Sequence, residues 1–289
     1  LWVVAGGAGD FGNWTVAFVS LGRITGMLGA YLALVQIVLL ARLPWLERAV
    51  GFDRLTVWHR WNGQASLYFV VAHVVLTTVG YMKGDEVGLW KEIQNLLTTT
   101  YPGMVTATIG TVLFVIVAVS SYRIARSRLR YEVWYLVHFT AYAAIALAWF
   151  HQVPTGTELA YLEVPTDYWT SLYAATLALL IIFRVIVPVA RALAHGLRVT
   201  EVVEEAPGVV SLTITGRNLE QLHAQAGQFF LWRFLTRRHW AEAHPFSLSR
   251  APDGRSLRIT VKQLGDFSGR IADDVRPGTR VVAEGPFGV

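Results

Sequence analysis

Five long apolar runs, at about residues 14–41, 57–82, 103–124, 131–151 and 168–194, constrain the fold of this chain more than any other feature. At 1.5 Å per helical residue each can cross a hydrocarbon layer about 30 Å thick, and each is read as a membrane-spanning helix. Charge alternates between the connecting segments. Arg42, Arg48, Arg54 and Arg60 lie on one side, as do Arg123, Arg126, Arg128 and Arg130. Asp85, Glu86 and Glu92, then Glu158, Glu163 and Asp167, lie on the other. Arginine-rich loops mark the cytoplasmic side, and the last run ends at Arg184, Arg191 and Arg198, so the remainder of the chain is expected in the cytoplasm.

Composition agrees with a lipid bilayer as the surrounding medium. The chain is 54% hydrophobic and only 16% charged, and its mean hydropathy of +0.42 is too high for an ordinary soluble domain. Eleven tryptophans suit interfacial belts. With no cysteine, structural disulfides, thiolate metal sites and covalent c-type haem attachment are excluded. The net charge of +5 resides in arginines at helix ends, which gives no reason to expect a nucleic acid partner.

Four histidines fall inside the apolar runs in two matching pairs. His59 and His73 are 14 residues apart, and His138 and His151 are 13 apart. Along a helix these intervals are about 21 and 19.5 Å. One span separates the two host helices, so they run parallel, with His59 and His138 at an inner level and His73 and His151 at an outer one. Ionisable groups in a bilayer are costly and mark function; pairing at equal depth suits two stacked b-type haems, ligated axially by histidine. Gly63, Ser66 and Val70 are expected to face the gap as small residues, opposite Ala141, Ala143, Ala144, Ala146 and Ala148. An interval of 13 residues leaves His151 rotated from His138, so a helix irregularity or differently turned haems are expected. Interhelical hydrogen bonding by the histidines is the plainer alternative. Arg23 lies within the first span, about 13 Å below its outer end. That depth is close to the outer histidines, and a functional role is expected there against the alternative of snorkelling to the surface.

Beyond residue 196 the pattern becomes that of a soluble β-domain. Val209–Thr215, Phe229–Phe234, Leu257–Lys262 and Thr279–Ala283 alternate as strands, with turns at Gly208, Gly227, Pro252-Asp253-Gly254 and Pro277-Gly278. Short strands in about ninety residues suggest a small antiparallel barrel. His195 and His223 are read as surface or interfacial, and His239 as part of a basic loop facing phosphate or water.

Within that domain stand Gly227-Gln228-Phe229, His244-Pro245-Phe246-Ser247-Leu248-Ser249 and Val261-Lys262-Gln263-Leu264-Gly265-Asp266-Phe267-Ser268. With the histidine pairs, in this order, the chain resembles the ferric reductase and NADPH oxidase superfamily, as a bacterial NADPH oxidase-like flavocytochrome b of the plasma membrane. The resemblance implies a membrane all-α helical bundle of five visible spans, six in the parent, at residues 1–195. It implies a cytoplasmic all-β FAD-binding Greek-key barrel at 196–289. His244, Pro245 and Phe246 would line the isoalloxazine of FAD, with Ser247 near its N5. Lys262 would meet the phosphates, and Gly265, Asp266, Phe267 and Ser268 would cradle the pyrophosphate. The last residues, Gly285-Pro286-Phe287-Gly288-Val289, resemble the junction to a nicotinamide-binding domain, so a piece of a larger reductase supplied by NADPH is expected. In the oxidase branch an arginine matching Arg23 lies beside the outer haem, whereas a histidine one turn beyond the outer ligand is replaced here by Thr77. The implied activity is electron transfer from NADPH through FAD, the haem of His59 and His138, and the haem of His73 and His151. The acceptor would be extracytoplasmic O2, giving superoxide. A ferric-chelate reductase is the alternative within the class, and a proton channel or transporter the alternative outside it.

Overall fold

The computed structural model describes residues 2–3, 7–98, 101–122, 127–155, 159, 163–240, 242–265 and 267–288. Helices α1 (Trp14–Leu39), α2 (Pro44–Val50), α3 (Phe52–Gly84), α4 (Leu89–Thr98), α5 (Met104–Ser121), α6 (Tyr131–Thr155) and α7 (Glu163–Ile181) follow in order. A π-turn at Ile182–Ile186 then leads into α8 (Val187–His195). Pro188, near the start of α8, has no N–H to donate to the preceding turn, which accounts for the local widening. Among the described residues five helices are long and apolar enough to cross a membrane: α1, α3, α5, α6 from Val133, and the stretch Glu163–His195. The chain is an integral membrane protein. Its helices expose valine, leucine, isoleucine and phenylalanine, among them Val75, Ile109, Val112, Leu136 and Phe139, which lipid covers.

Contacts divide the chain into one unit of residues 1–40 and 56–177 and a second of 41–55 and 178–289. In the first unit α1 and α3 run antiparallel along a seam of glycines. Gly22 meets Thr77, Gly26 meets His73, Gly29 meets Val70, and Gly63 of α3 meets Gln36. Small residues let the two backbones approach where lipid gives no hydrophobic drive to associate. Polar groups reinforce the seam: the buried Ser66 hydroxyl donates to the Gly29 carbonyl at 2.8 Å, and Asn62 Nδ2 donates to the Leu32 carbonyl at 2.7 Å. Gly63, Ser66 and Val70 therefore pack on α1 and do not widen the gap towards α6, a correction to the sequence expectation. Small side chains go where helix backbones touch. Helix α5 packs on α6 in the same manner, Gly110 lying against the Ala144 carbonyl.

The second unit holds a closed barrel. Strands β1 (Arg198–Ala206), β2 (Val209–Thr215) and β5 (Ser256–Lys262) form one antiparallel sheet, in the order β1-β2-β5. Strands β3 (Phe229–Phe234), β4 (His244–Ser247) and β6 (Val281–Phe287) form another, in the order β4-β3-β6. Single bridges, Leu248 to Ile259 and Arg198 to Arg280, join the sheets at both seams, closing the ring. A short helix, α9 (Ile271–Asp274), lies between β5 and β6. Alternation along β2, β3 and β5 sends Leu212, Ile214, Phe230, Trp232, Phe234 and Ile259 into a common interior. The Trp232 indole N–H donates to the Phe246 carbonyl at 3.0 Å, so the largest buried ring leaves no polar atom unpaired. Strand β6 runs past Ala283, the end expected from sequence. It bulges opposite Phe230 where Gly285, at φ +146°, lies under that ring.

The segment 41–55 belongs to this unit through Arg42. This residue takes a left-handed φ of +68°, uncommon for a side chain of its size. Its guanidinium lies between the rings of Phe52 and Phe287, 4.3 and 4.8 Å from their centres. It pairs with Glu47 at 3.5 Å and with Glu284 at 3.8 Å, and Glu284 also meets Arg184 at 3.7 Å. Burial lowers the Arg42 pKa and raises that of Glu47, in spite of their mutual attraction.

Candidate functional site

Helices α3 and α6 bring the four predicted histidines together in the predicted pairs. The rings of His59 and His138 have centres 6.0 Å apart, and those of His73 and His151 6.2 Å apart. Helix α6 is unbroken from Tyr131 to Thr155, so no irregularity absorbs the rotation between its two histidines. Three of the four rings are held by backbone carbonyls. His59 Nδ1 donates to Gln36 O at 3.1 Å, His73 Nδ1 to Gly22 O at 2.8 Å, and His151 Nδ1 to Ala148 O at 2.6 Å. His138 Nδ1 shares a hydrogen bond with the Ser121 hydroxyl at 3.1 Å. A ring that donates from Nδ1 keeps the lone pair on Nε2, the tautomer a metal ligand requires. Two metal–nitrogen bonds of about 2 Å, each extended by about 1.1 Å to a ring centre, span about 6 Å, so the ring separation in each pair fits two imidazoles that would hold one ion between them.

The partners of these rings were not legible as site residues. Gly26 is needed because any side chain there would overlap the His73 ring. Gly22 and Gln36 contribute only main-chain carbonyls, which no side-chain pattern reveals. Trp134 stacks on His138 with ring centres 5.0 Å apart, and Trp169 and Tyr173 both donate to Gln152, the neighbour of His151. The 134/138 interval, one helical turn, was the available signal for the first.

Arg23 lies beside Gly22, whose carbonyl holds His73, and so at the level of the outer pair. Its guanidinium reaches Asp10 Oδ2 at 2.8 Å and the Ser20 hydroxyl at 3.4 Å. Asp10 comes from a 3-10 turn at Gly7–Gly12, and Trp2 Nε1 adds a hydrogen bond to Ser20 at 3.0 Å. Thr77, one turn beyond His73, donates its hydroxyl to the His73 carbonyl at 2.7 Å.

In the barrel the motif His244-Pro245-Phe246-Ser247 is strand β4, paired with Phe229–Trp232 of β3. The alternation leaves Pro245 and Ser247 exposed and turns His244 and Phe246 inwards as half-buried residues. Phe267 stacks on His244 with ring centres 3.6 Å apart and 18° between planes, and on Phe246 at 6.1 Å. Lys262 ends β5 in solvent, and nothing lies within 4 Å of where a Gly265 side chain would be. The Ser268 hydroxyl already accepts the N–H groups of Leu264 and Gly265, both at 3.0 Å. Asp266 lies outside the described residues, as do Arg123, Arg126 and Glu158.

His195 and His239 are buried, contrary to the sequence reading. His195 Nδ1 donates to the Arg217 carbonyl at 3.0 Å, and His239 Nε2 meets Asp274 Oδ2 at 3.0 Å. Each is internal because a partner from a distant segment covers it. Glu242, two residues before the motif, bonds His244 Nε2 at 3.2 Å and was also missed.

Residues 25–149 match the family described as the ferric reductase like transmembrane component, and residues 197–289 match an FAD-binding domain family. No curated protein matches the chain. Among solved structures, the flavohaem-like FAD/NAD-binding domain of nitric oxide dioxygenase from Vibrio cholerae O1 biovar El Tor is 23% identical over 33% of this chain and 46% of its own, with a TM-score of 0.25. A flavohaemoglobin from Malassezia yamatoensis, with bound FAD and haem, is 13% identical over 96% of this chain and 64% of its own, with a TM-score of 0.32. The chain thus spans less than two thirds of either, and likenesses this distant say nothing about its activity. The two matched domains, in this order, give the chain the architecture of the ferric reductase and NADPH oxidase superfamily: a ferric reductase-like transmembrane domain followed by an FAD-binding domain.

Proposed function

We propose that this chain is a membrane electron conduit that takes electrons from NADPH through FAD and two b haems to an extracytoplasmic acceptor, O2, giving superoxide. NADPH would act through a nicotinamide-binding domain of the full-length parent. One observation carries the reading: two histidine pairs at matched levels of the same two helices, with ring centres 6.0 and 6.2 Å apart. Among the described residues no group of three or more metal-binding side chains gathers. A pair alone suits haem, which brings its own in-plane nitrogens and asks the protein only for axial ligands. When bound, FAD converts a two-electron hydride into single electrons, and the haems carry these across the bilayer.

The chain's own residues bind and orient. His59 and His138 would hold the inner haem, and His73 and His151 the outer. The carbonyls of Gln36, Gly22 and Ala148 fix the ring tautomers. Exposed Ser247 would offer its hydroxyl to the flavin beside Pro245, while His244 and Phe246 keep their contacts with Phe267. Lys262 would meet the phosphates, and Gly265 and Ser268 would exchange their mutual hydrogen bonds for pyrophosphate oxygens; Asp266 and Phe267 complete the proposed set. Arg23 would place positive charge where the acceptor becomes an anion. The arginine-rich loops favour a cytoplasmic barrel.

A ferric chelate is the second acceptor class. It is favoured by Thr77, whose hydroxyl proton is committed to the His73 carbonyl and is not offered to an oxygen anion. The test is optical. Purified, FAD-loaded protein is reduced anaerobically with dithionite, freed of excess reductant and opened to air. Rapid return of the oxidised Soret band supports oxygen; reduction that persists until a ferric chelate is added supports a metal reductase. Absence of any Soret band refutes the haem reading and revives the proton-channel alternative.

A further inference from the structure

Strand β4 is connected to the barrel surface by a line of ionisable side chains that the electron path does not use. Glu242 Oε2 lies 3.2 Å from His244 Nε2 and 4.0 Å from His239 Nδ1. His239 Nε2 lies 3.0 Å from Asp274 Oδ2, on α9, and Asp274 Oδ1 lies 3.6 Å from Nη1 of the exposed Arg238. The His239 side chain is only 6% exposed, and its Nδ1 has no hydrogen-bond partner among the described residues. Buried polar atoms are nearly always paired, so an unpaired imidazole nitrogen 4.0 Å from a carboxylate oxygen calls for an explanation. A clamp that merely pinned this loop would close that gap. Phe267 packs flat on His244 and edge-on against His239, its ring centre 4.8 Å from the latter, so one ring supports both imidazoles.

We infer that Glu242, with His239 and Asp274, is a proton exit from the flavin side of the barrel. This inference rests on the proposed function. There, each NADPH becomes NADP+ by giving up a hydride, one proton with two electrons. One-electron carriers take the two electrons and leave the proton behind. His244, which the family resemblance places at the isoalloxazine, takes that proton at Nδ1 and gives up the one on Nε2 to Glu242 Oε2, which delivers it to His239 Nδ1 across a gap that one bridging water or a side-chain movement of about 1 Å closes. His239 releases a proton from Nε2 to Asp274 Oδ2, at the rim marked by Arg238, and the water outside takes it. Glu242 acts through His244 and is a positioning and relay residue.

The experiment uses the full chain in detergent, loaded with FAD. Flavin content is read from absorbance near 450 nm. The protein is reduced with dithionite and reoxidised with ferricyanide in H2O and in D2O, and a reduced-minus-oxidised infrared difference spectrum is recorded. Glu242→Gln is expected to retain flavin, to slow reoxidation at least tenfold and to lose a carboxyl band from the difference spectrum. Asp274→Asn leaves the Glu242–His244 contact intact and is expected to slow reoxidation at least threefold, so it carries the test if Glu242→Gln fails to hold flavin. Wild-type rates, isotope effects and difference spectra in both variants would overturn the relay. Wild-type protein that binds no flavin would overturn the function beneath it.

Discussion

Replacing Gly26 with alanine should dislodge the outer haem while leaving the inner one in place. A Cβ at position 26 would stand 2.6 Å from His73 Nδ1 and 2.9 Å from its Cγ. Carbon contacts are comfortable at about 3.5 Å, so the ring must retreat by about 0.9 Å. That movement stretches the 2.8 Å hydrogen bond to Gly22 O beyond the usual limit of about 3.2 Å. It also exceeds several-fold the tolerance of about 0.2 Å on a metal–ligand distance. Loss of such a supporting bond typically weakens metal binding by about 10- to 100-fold, or about 1.4–2.7 kcal/mol. Alanine is a better helix former than glycine by about 1 kcal/mol, so the span should still form. Haem per chain, from pyridine haemochrome spectra, should fall from two towards one, with Gly88→Ala, which meets nothing within 4 Å, as the control. Two haems per chain with an unchanged low-spin spectrum in Gly26→Ala would refute the reasoning.

Other outcomes are expected on the same physical grounds. His73→Leu should remove one of two haems and leave flavin bound, as read from the Soret and 450 nm bands together. Ser247→Ala should slow flavin reduction by NADPH in the full-length parent without changing haem content. Arg23→Ala should slow only the final transfer; oxygen kinetics equal to wild type would return Arg23 to a structural pair with Asp10. Arg42→Met should destabilise the protein by about 3 kcal/mol in denaturant unfolding, because Glu47 and Glu284 lose a buried partner. Burial raises the Glu47 pKa, so the folded state holds its proton more tightly than the unfolded chain. That contribution is present below the ordinary carboxylate value and lost as pH rises through the raised one. The stability of wild type relative to Glu47→Gln should therefore fall with rising pH across that window, and a difference that rises would contradict the burial argument.

Hydropathy made the five spans legible because a helix in lipid must be apolar on nearly every side. That uniformity hid which side met which neighbour. Gly63, Ser66 and Val70 occur at helical spacing that fits a haem-facing stripe as well as a helix seam, and only the position of α1 decides between them. The histidine pairs were readable from intervals of 14 and 13 residues because depth in a bilayer follows residue count. The surroundings of the flavin motif were less readable. Asp274 reaches His239 across 35 residues, and β1 was overlooked because its outward face carries glutamates at the barrel surface. Main-chain partners such as Gly22 O and Gln36 O leave no mark in a side-chain sequence.

The two carbonyls that grip the α3 histidines are themselves 14 residues apart on α1, the same interval that separates His59 from His73 on the opposed helix. The two helices act as matched rulers laid head to tail. Adding or deleting one residue between positions 22 and 36 would swing one carbonyl by about 100° and shift it by about 1.5 Å, releasing one histidine whichever end stayed fixed. Length changes in this stretch can survive only as paired events, one in each helix. Relatives of this chain should therefore vary freely in the loops around α4, while the 22–36 and 59–73 intervals stay equal to one another.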